Sequence, residues 1–268
     1  MRRVLLIGIG AGDPEHVTAQ AARALDEVDV FFVVDKGADA SDLVATRRMV
    51  LERFVSDPAY RVVELADPPR DRAAAAYGAA VDDWRARRAA VWAAALRDAL
   101  ADGETGGFVV WGDPSLYDST IDVIERVLAS GEVAFEYEVI PGVSSVHALT
   151  ARHRIPLNRV GGAVQITTGR RLARDGWPEG VDDLVVMLDA DCAFAALEPD
   201  GVEIYWGAYL GTPDEVLVAG PLADVADEIR RARAEARERK GWIMDTYLLR
   251  RVDPATPPPR PGRSRSPE

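Results

Sequence analysis

Three stretches of the chain combine glycine with residues that can hydrogen-bond or ionise. Gly8-Ile9-Gly10-Ala11-Gly12-Asp13-Pro14 overlaps the end of the apolar run Val4–Ile9. Trp111-Gly112-Asp113-Pro114-Ser115-Leu116-Tyr117 closes the run Phe108–Trp111, and Ile140-Pro141-Gly142-Val143-Ser144-Ser145 closes Phe135–Ile140. Glycine at a strand end lets the backbone turn tightly and approach a ligand. Open α/β sheets bind ligands beyond the carboxyl ends of their strands, so three such loops predict a binding cleft at one sheet edge.

The first loop leaves several ligand classes open. A dinucleotide site wants glycine where Asp13 stands, and a carboxylate there would repel a pyrophosphate, although Asp35 imitates the ribose-binding acid of such sites. The common Rossmann-like methyltransferases would place an acidic residue two positions before the first glycine, where this chain has Leu6. An uncharged or cationic ligand tolerates Asp13. A plain strand-to-helix turn is the remaining alternative for any one loop.

The elements that must carry these loops alternate. Strands are predicted at Val4–Ile9, Val30–Val34, Arg61–Leu65, Phe108–Trp111 and Phe135–Ile140. Between them lie helices at about Ala19–Val28 with Thr18 as cap, Ser41–Phe54, Ala73–Ala101 and Tyr117–Leu128. The pattern predicts a mainly parallel sheet with helices on both faces. A change of composition at Arg152–Asn158 marks a domain boundary, giving an N-terminal α/β domain over 1–152 and a second α/β domain over 153–253. The second domain has strand-like runs at Ala163–Thr168, Leu184–Leu188, Val202–Trp206, Val216–Ala219 and Trp242–Arg250, with one strong helix at about Leu222–Arg239, so its sheet should be mixed. Residues 254–268 are rich in proline and are expected to be disordered.

Composition narrows the partners. The 268 residues carry a net charge of −12, which argues against free nucleic acid as a ligand. No apolar run approaches the roughly 20 residues that span a bilayer, and the start of the chain reads as a buried strand and not as a signal peptide. A single cysteine, Cys192, and three scattered histidines predict neither a disulfide framework nor a metal site. The expected location is the cytoplasm.

G-x-G-x-G-D-P after the first strand, G-D-P-x-x-Y after the fourth and P-G-V-S-S after the fifth, in this order, resemble the tetrapyrrole methylases over about residues 3–250. The resemblance implies two α/β domains of the tetrapyrrole methylase type with the active site in the cleft between them. S-adenosylmethionine (SAM) would be the cosubstrate, and a homodimer is expected. Further segments are similar to the deacetylating branch of the family: Asp29–Asp35 with Lys36-Gly37, Asp42-Leu43-Val44, Tyr60–Glu64 with Ala66-Asp67-Pro68, Gln165–Arg171 and Trp206–Glu215. This implies methylation of precorrin-5 at ring carbon 1, with release of the carbon-20 acetyl group as acetate, in cobalamin biosynthesis; the alternatives are another methyltransferase of the family, or a non-catalytic protein that binds SAM or a corrinoid.

Residue roles follow from the same resemblance. Ala11 would line the methionine end of SAM; Trp111, Gly112, Asp113 and Leu116 would floor its site, with Asp113 binding the ammonium or the ribose. Ser144 and Ser145 would donate hydrogen bonds, Met187 would contact SAM, and Gly211 would let the backbone approach the adenine. Asp35 matches a carboxylate that accepts a proton in a related enzyme, though the lysine that partners it there has no match here. Deacetylation needs water to add to a carbonyl, hence a base and an oxyanion stabiliser. Asp35, His147, Tyr117 and Asp118 are the candidates. Arg47, Arg48, Arg170 and Arg171 are candidates for the carboxylates of the macrocycle, because a guanidinium forks a carboxylate. Arg231, Arg233, Arg237, Arg239 and Lys240 are expected to form a solvated face.

Overall fold

The computed structural model describes residues 1–35, 41–69 and 77–252, excluding the side chains of residues 35, 41–44 and 77. The proline-rich tail, Lys36-Gly37 and the first turn of the long alanine-rich helix therefore lie outside the described residues, as do the side chains of Asp35 and of Asp42-Leu43-Val44.

The chain forms two compact units. The first holds β1 (Arg2–Gly8), α1 (Ala19–Asp26), β2 (Val30–Asp35), α2 (Ser41–Phe54), β3 (Arg61–Ala66), α3 (Tyr77–Ala99), β4 (Thr105–Val110), α4 (Thr120–Ser130) and β5 (Phe135–Ile140). The five strands are parallel, in the order β3-β2-β4-β1-β5. Successive side chains of a strand point to opposite faces. Val4 and Leu6 of β1 pack in one layer with Phe32, Trp92, Leu96, Phe108 and Ile124, whereas Leu5 and Ile7 pack in the other with Leu25, Phe31, Val50 and Leu51. Helices on both faces explain why β1 reads as an unbroken apolar run. Truncating one of these fully buried leucines to alanine should cost about 2–5 kcal/mol. Thr18 caps α1 by accepting from the Ala21 N–H at 3.0 Å, as its position in the sequence predicts.

The second unit holds β6 (Val164–Thr168), α6 (Gly169–Asp175), β7 (Asp183–Met187), β8 (Val202–Ala208), β9 (Val216–Pro221) and β10 (Asp245–Arg251), together with most of α7 (Leu222–Lys240). Its sheet is mixed, in the order β6-β7-β10-β8-β9, with only β6 and β7 parallel.

Two expectations need correction. The first unit ends at Ala148, within α5 (Ser145–His153), and regains Tyr209–Glu215 and Ala236–Ile243 later in the chain. The cut expected after residue 152 missed this because a linear composition shift cannot show a chain that returns. The tie is visible locally: the Tyr209 hydroxyl donates to the carbonyls of Ala236 at 3.2 Å and Trp242 at 2.6 Å. Arg233 is not part of a solvated face. It is buried, paired with Asp245 at 3.0 Å and donating to the Asp189 carbonyl at 2.7 Å. Charge interleaving along α7 hid it, although Leu222, Ile229 and Ala236 of the same helix are buried as well.

Candidate functional site

The three glycine loops extend from β4, β1 and β5, which are neighbours in the sheet, so all three meet at one carboxyl edge. Their backbones interlock. Gly10 and Gly112 form an antiparallel bridge, with Gly112 N–H donating to Gly10 O at 2.8 Å and Gly10 N–H donating to Gly112 O at 3.3 Å. A β-carbon on Gly142 would lie 2.1 Å from Gly112 O, and one on Gly8 would lie 2.7 Å from Gly142 N. No side chain fits at either position, which is the physical reason for glycine there. Gly112 differs. Its φ of +73° is a left-handed conformation, and among the described residues a β-carbon there would meet only Ser144 Cα, at 3.9 Å. Space is therefore left on the Gly112 side of the knot.

Asp113 braces these loops. Its Oδ2 accepts from Gly142 N–H at 2.9 Å, and its Oδ1 accepts from Ser115 N–H at 2.8 Å and from the Ser115 hydroxyl. Burial works to raise its carboxyl. The hydrogen bonds from Ser115 and Gly142 and the nearby His147 outweigh burial and hold it below the usual carboxylate range. Ser144 is buried at the start of α5. Its Oγ lies 2.8 Å from His147 Nδ1, and its carbonyl accepts from Ala148 N–H at 3.0 Å. Ser145 is half-buried beside it, and His147 is exposed.

The segment after β8 closes on the first loop. A β-carbon on Gly12 would meet Thr212 Cγ2 at 2.7 Å and Trp111 Cζ2 at 3.2 Å; one on Gly211 would meet Asp13 N at 2.7 Å and His16 Cε1 at 3.2 Å. Gly211, with φ +76°, is thus required by chain packing. Ala11 is buried in the same place, and Trp111 and Leu116 are half-buried. Tyr117 follows with φ +51° at 46% exposure. A bulky residue held left-handed is a strain that tends to collect at functional sites.

A charged cluster lies at the same edge. Arg47 of α2 is half-buried; burial pushes its guanidinium down, and Asp118 opposes this. Arg88 of α3 is buried, with its Nε 3.1 Å from Asp67 and its Nη1 donating to Ser119 Oγ at 2.9 Å. Its guanidinium stacks over Trp84 at 4.7 Å and Trp92 at 5.1 Å. Arg88 and Asp67 are site-edge residues that sequence reasoning passed over. The signal was present: Trp84, Arg88 and Trp92 recur every four residues, on one face of a helix.

Other expected residues fall elsewhere. Arg48 is exposed and paired with Glu52 at 2.8 Å on the surface of α2. Met187, Arg170 and Arg171 belong to the second unit: Met187 ends β7 half-buried, and Arg170 and Arg171 are exposed on α6, with Arg171 3.5 Å from Asp175. Asp35 ends β2, and its side chain lies outside the described residues.

A parallel five-stranded unit with glycine loops at its carboxyl edge, followed by a mixed five-stranded unit, is the architecture of a methylase family, and residues 3–226 match the family model of the Tetrapyrrole (Corrin/Porphyrin) Methylases. The chain belongs to that family. Within it, the chain is 52% identical over 251 residues to the precorrin-6A synthase [deacetylating] of Sinorhizobium sp, covering 94% of this chain and 96% of that protein. The crystal structure of a cobalamin synthesis related protein (CobF) from Corynebacterium diphtheriae superposes with a TM-score of 0.81 at 35% identity, covering 94% of this chain and all of that one. Uroporphyrin-III C-methyl transferase from Thermus thermophilus, complexed with S-adenyl homocysteine, shares the fold at a TM-score of 0.56 and 20% identity, over 92% of this chain and 91% of that one.

Proposed function

We propose that this chain is a SAM-dependent methyltransferase that converts precorrin-5 to precorrin-6A, methylating ring carbon 1 and releasing acetate, in cobalamin biosynthesis. The observation that carries this is the 52% identity over nearly the whole chain to a deacetylating precorrin-6A synthase.

The residues at the carboxyl edge fit SAM. The glycine loops carry Asp13 and Asp113 and no basic side chain, which suits a ligand bearing sulfonium and ammonium charges and opposes a pyrophosphate. Room beside Gly112, where a β-carbon would lie 3.9 Å from Ser144 Cα, supports a ligand approaching the backbone there. Ala11, Trp111, Gly112, Leu116, Ser144 and Ser145 would hold the cosubstrate, with Asp113 fixing the loops and Gly211 seating its own segment against the first loop. SAM supplies an already activated methyl group, so this transfer needs no nucleophile from the protein. What the chain must supply is alignment.

Deacetylation asks more of the protein. A base must take a proton from water as the water adds to the acetyl carbonyl, and a donor must stabilise the oxyanion. Asp118, which interacts with Arg47, its neighbour Tyr117, and His147, beside Ser144, are the described candidates; Asp35 remains a further one by the family resemblance. For Met187, Arg170 and Arg171 a ligand role rests on the resemblance alone. The proposal includes a homodimer in the cytoplasm. Among the described residues no helix is long and apolar enough to cross a membrane.

Transfer of a radiolabelled methyl group from SAM to precorrin-5 tests the proposal. Label should appear in the macrocycle with multiple turnovers. SAM binding with no transfer would make the chain a binder and not an enzyme.

A further inference from the structure

Two arginines reach the carboxyl edge of the first sheet from its opposite faces. Arg47 rides on α2, whose Val50 and Leu51 pack in the layer with Leu5 and Ile7. Arg88 rides on α3, whose Ala89 and Trp92 pack in the other layer, with Val4 and Leu6. Both act on Asp118, in the loop after β4.

The two differ in how they are satisfied. Arg88 is locked by Asp67, Ser119 and two tryptophan faces. The Nε of each is buried without a hydrogen-bond partner among the described residues, but that of Arg88 lies 3.1 Å from Asp67, whereas Arg47 has no carboxylate within ion-pair distance among the described residues. Asp118 does not supply one, and its Oδ1 accepts from Thr120 N–H at 2.7 Å at the start of α4. A buried guanidinium donor left without an acceptor is costly, and native proteins seldom retain one without a use. The neighbouring Arg48, by contrast, is spent on an exposed pair with Glu52.

We propose that Arg47 receives one peripheral carboxylate of the tetrapyrrole on its guanidinium. Arg88 is already committed to Asp67, Ser119 and the two tryptophan faces, which leaves this role to Arg47. A planar fork suits a carboxylate in a way a lysine ammonium does not. The proposal rests on the tetrapyrrole reading above, and it names which of the candidate arginines in the first unit recognises the macrocycle and which does not.

The test is fluorescence titration with uroporphyrin III, a stable macrocycle with eight carboxylates, alongside calorimetry with SAM. Arg47→Gln should weaken porphyrin binding by about 10- to 100-fold, the loss of one charge-assisted hydrogen-bonded contact. Arg47→Lys should recover only part of it, and Arg48→Gln should stay within about twofold of wild type, since it loses only an exposed pair. SAM affinity should be unchanged in all three. Unaltered porphyrin binding by Arg47→Gln would overturn the proposal. So would a fall in porphyrin affinity matched by an equal fall in SAM affinity, which would make Arg47 a structural residue. Wild-type protein that binds SAM but no porphyrin would instead remove the tetrapyrrole reading on which the proposal depends.

Discussion

Gly142→Ala is the most informative perturbation of the loop knot. The added β-carbon would sit 2.1 Å from Gly112 O and 2.8 Å from the Gly8 carbonyl carbon, whereas ordinary contact begins near 3.4 Å. Every atom it meets is backbone, so no side chain can swing away. The loops after β4 and β5 must part by more than 1 Å. Overpacking of this kind costs about 1–3 kcal/mol, or roughly 3–10 °C in melting temperature for a protein of this size. The functional cost should be larger, because a misplacement of about 1 Å can lower a rate by roughly 10²-fold. Gly131→Ala is the control. Gly131 has φ +70°, ends α4 and, among the described residues, has nothing within 4 Å of its would-be β-carbon. It carries the left-handed penalty of about 1–2 kcal/mol without touching the knot. Calorimetry with SAM and thermal melts of both variants decide the matter. Gly142→Ala should lose SAM affinity and turnover, and Gly131→Ala should lose only stability. If Gly142→Ala binds SAM and turns over as wild type does, the interlocked loops do not form the SAM site.

Three further outcomes are expected. The Asp113 carboxyl should titrate below the usual aspartate value of about 3.9 in carbon-13 NMR, and Ser115→Ala should move it upward. Because its folded value is depressed, the bracing it contributes is complete above the ordinary aspartate range and is lost as pH falls through the folded value; titration at or above the ordinary value would contradict the bracing role. Tyr247→Phe should destabilise the protein by about 1–3 kcal/mol in urea melts, since it removes the buried hydroxyl that donates to Asp189 Oδ2 at 2.6 Å; a loss under about 0.5 kcal/mol would show that this hydrogen bond contributes no more than an ordinary surface contact. Gly112→Val should abolish SAM binding, through both its left-handed backbone and the side chain it projects beside Ser144, while folding persists; normal SAM binding by this variant would move the site away from Gly112.

The first sheet was legible because its signals are local. Buried parallel strands read as apolar runs, and the loops after β1, β4 and β5 carry glycines that answer to backbone crowding at Gly8 and Gly142 and to a left-handed turn at Gly112. The helix α5 was not legible, since its buried positions Val146, Ala148 and Leu149 are few and sit among histidine, threonine and arginine. The return of Tyr209–Glu215 to the first unit could not be seen either, because Gly211 against Asp13 is a contact between residues nearly 200 positions apart. Burial separated the arginines where composition could not. Arg47 and Arg48 are adjacent in sequence, yet one faces the core edge and the other faces solvent. Arg233 likewise looked like its exposed neighbours on α7 until Asp245 and the Asp189 carbonyl were placed against it.

Mass spectrometry of the product formed from precorrin-5 and methyl-labelled SAM tests the assigned reaction most directly. The expected result is a macrocycle that has gained one labelled methyl group and lost its acetyl group, with one acetate released for each methyl transferred. A product that gains the methyl and keeps the acetyl, or a macrocycle returned unchanged while SAM binds, would contradict it.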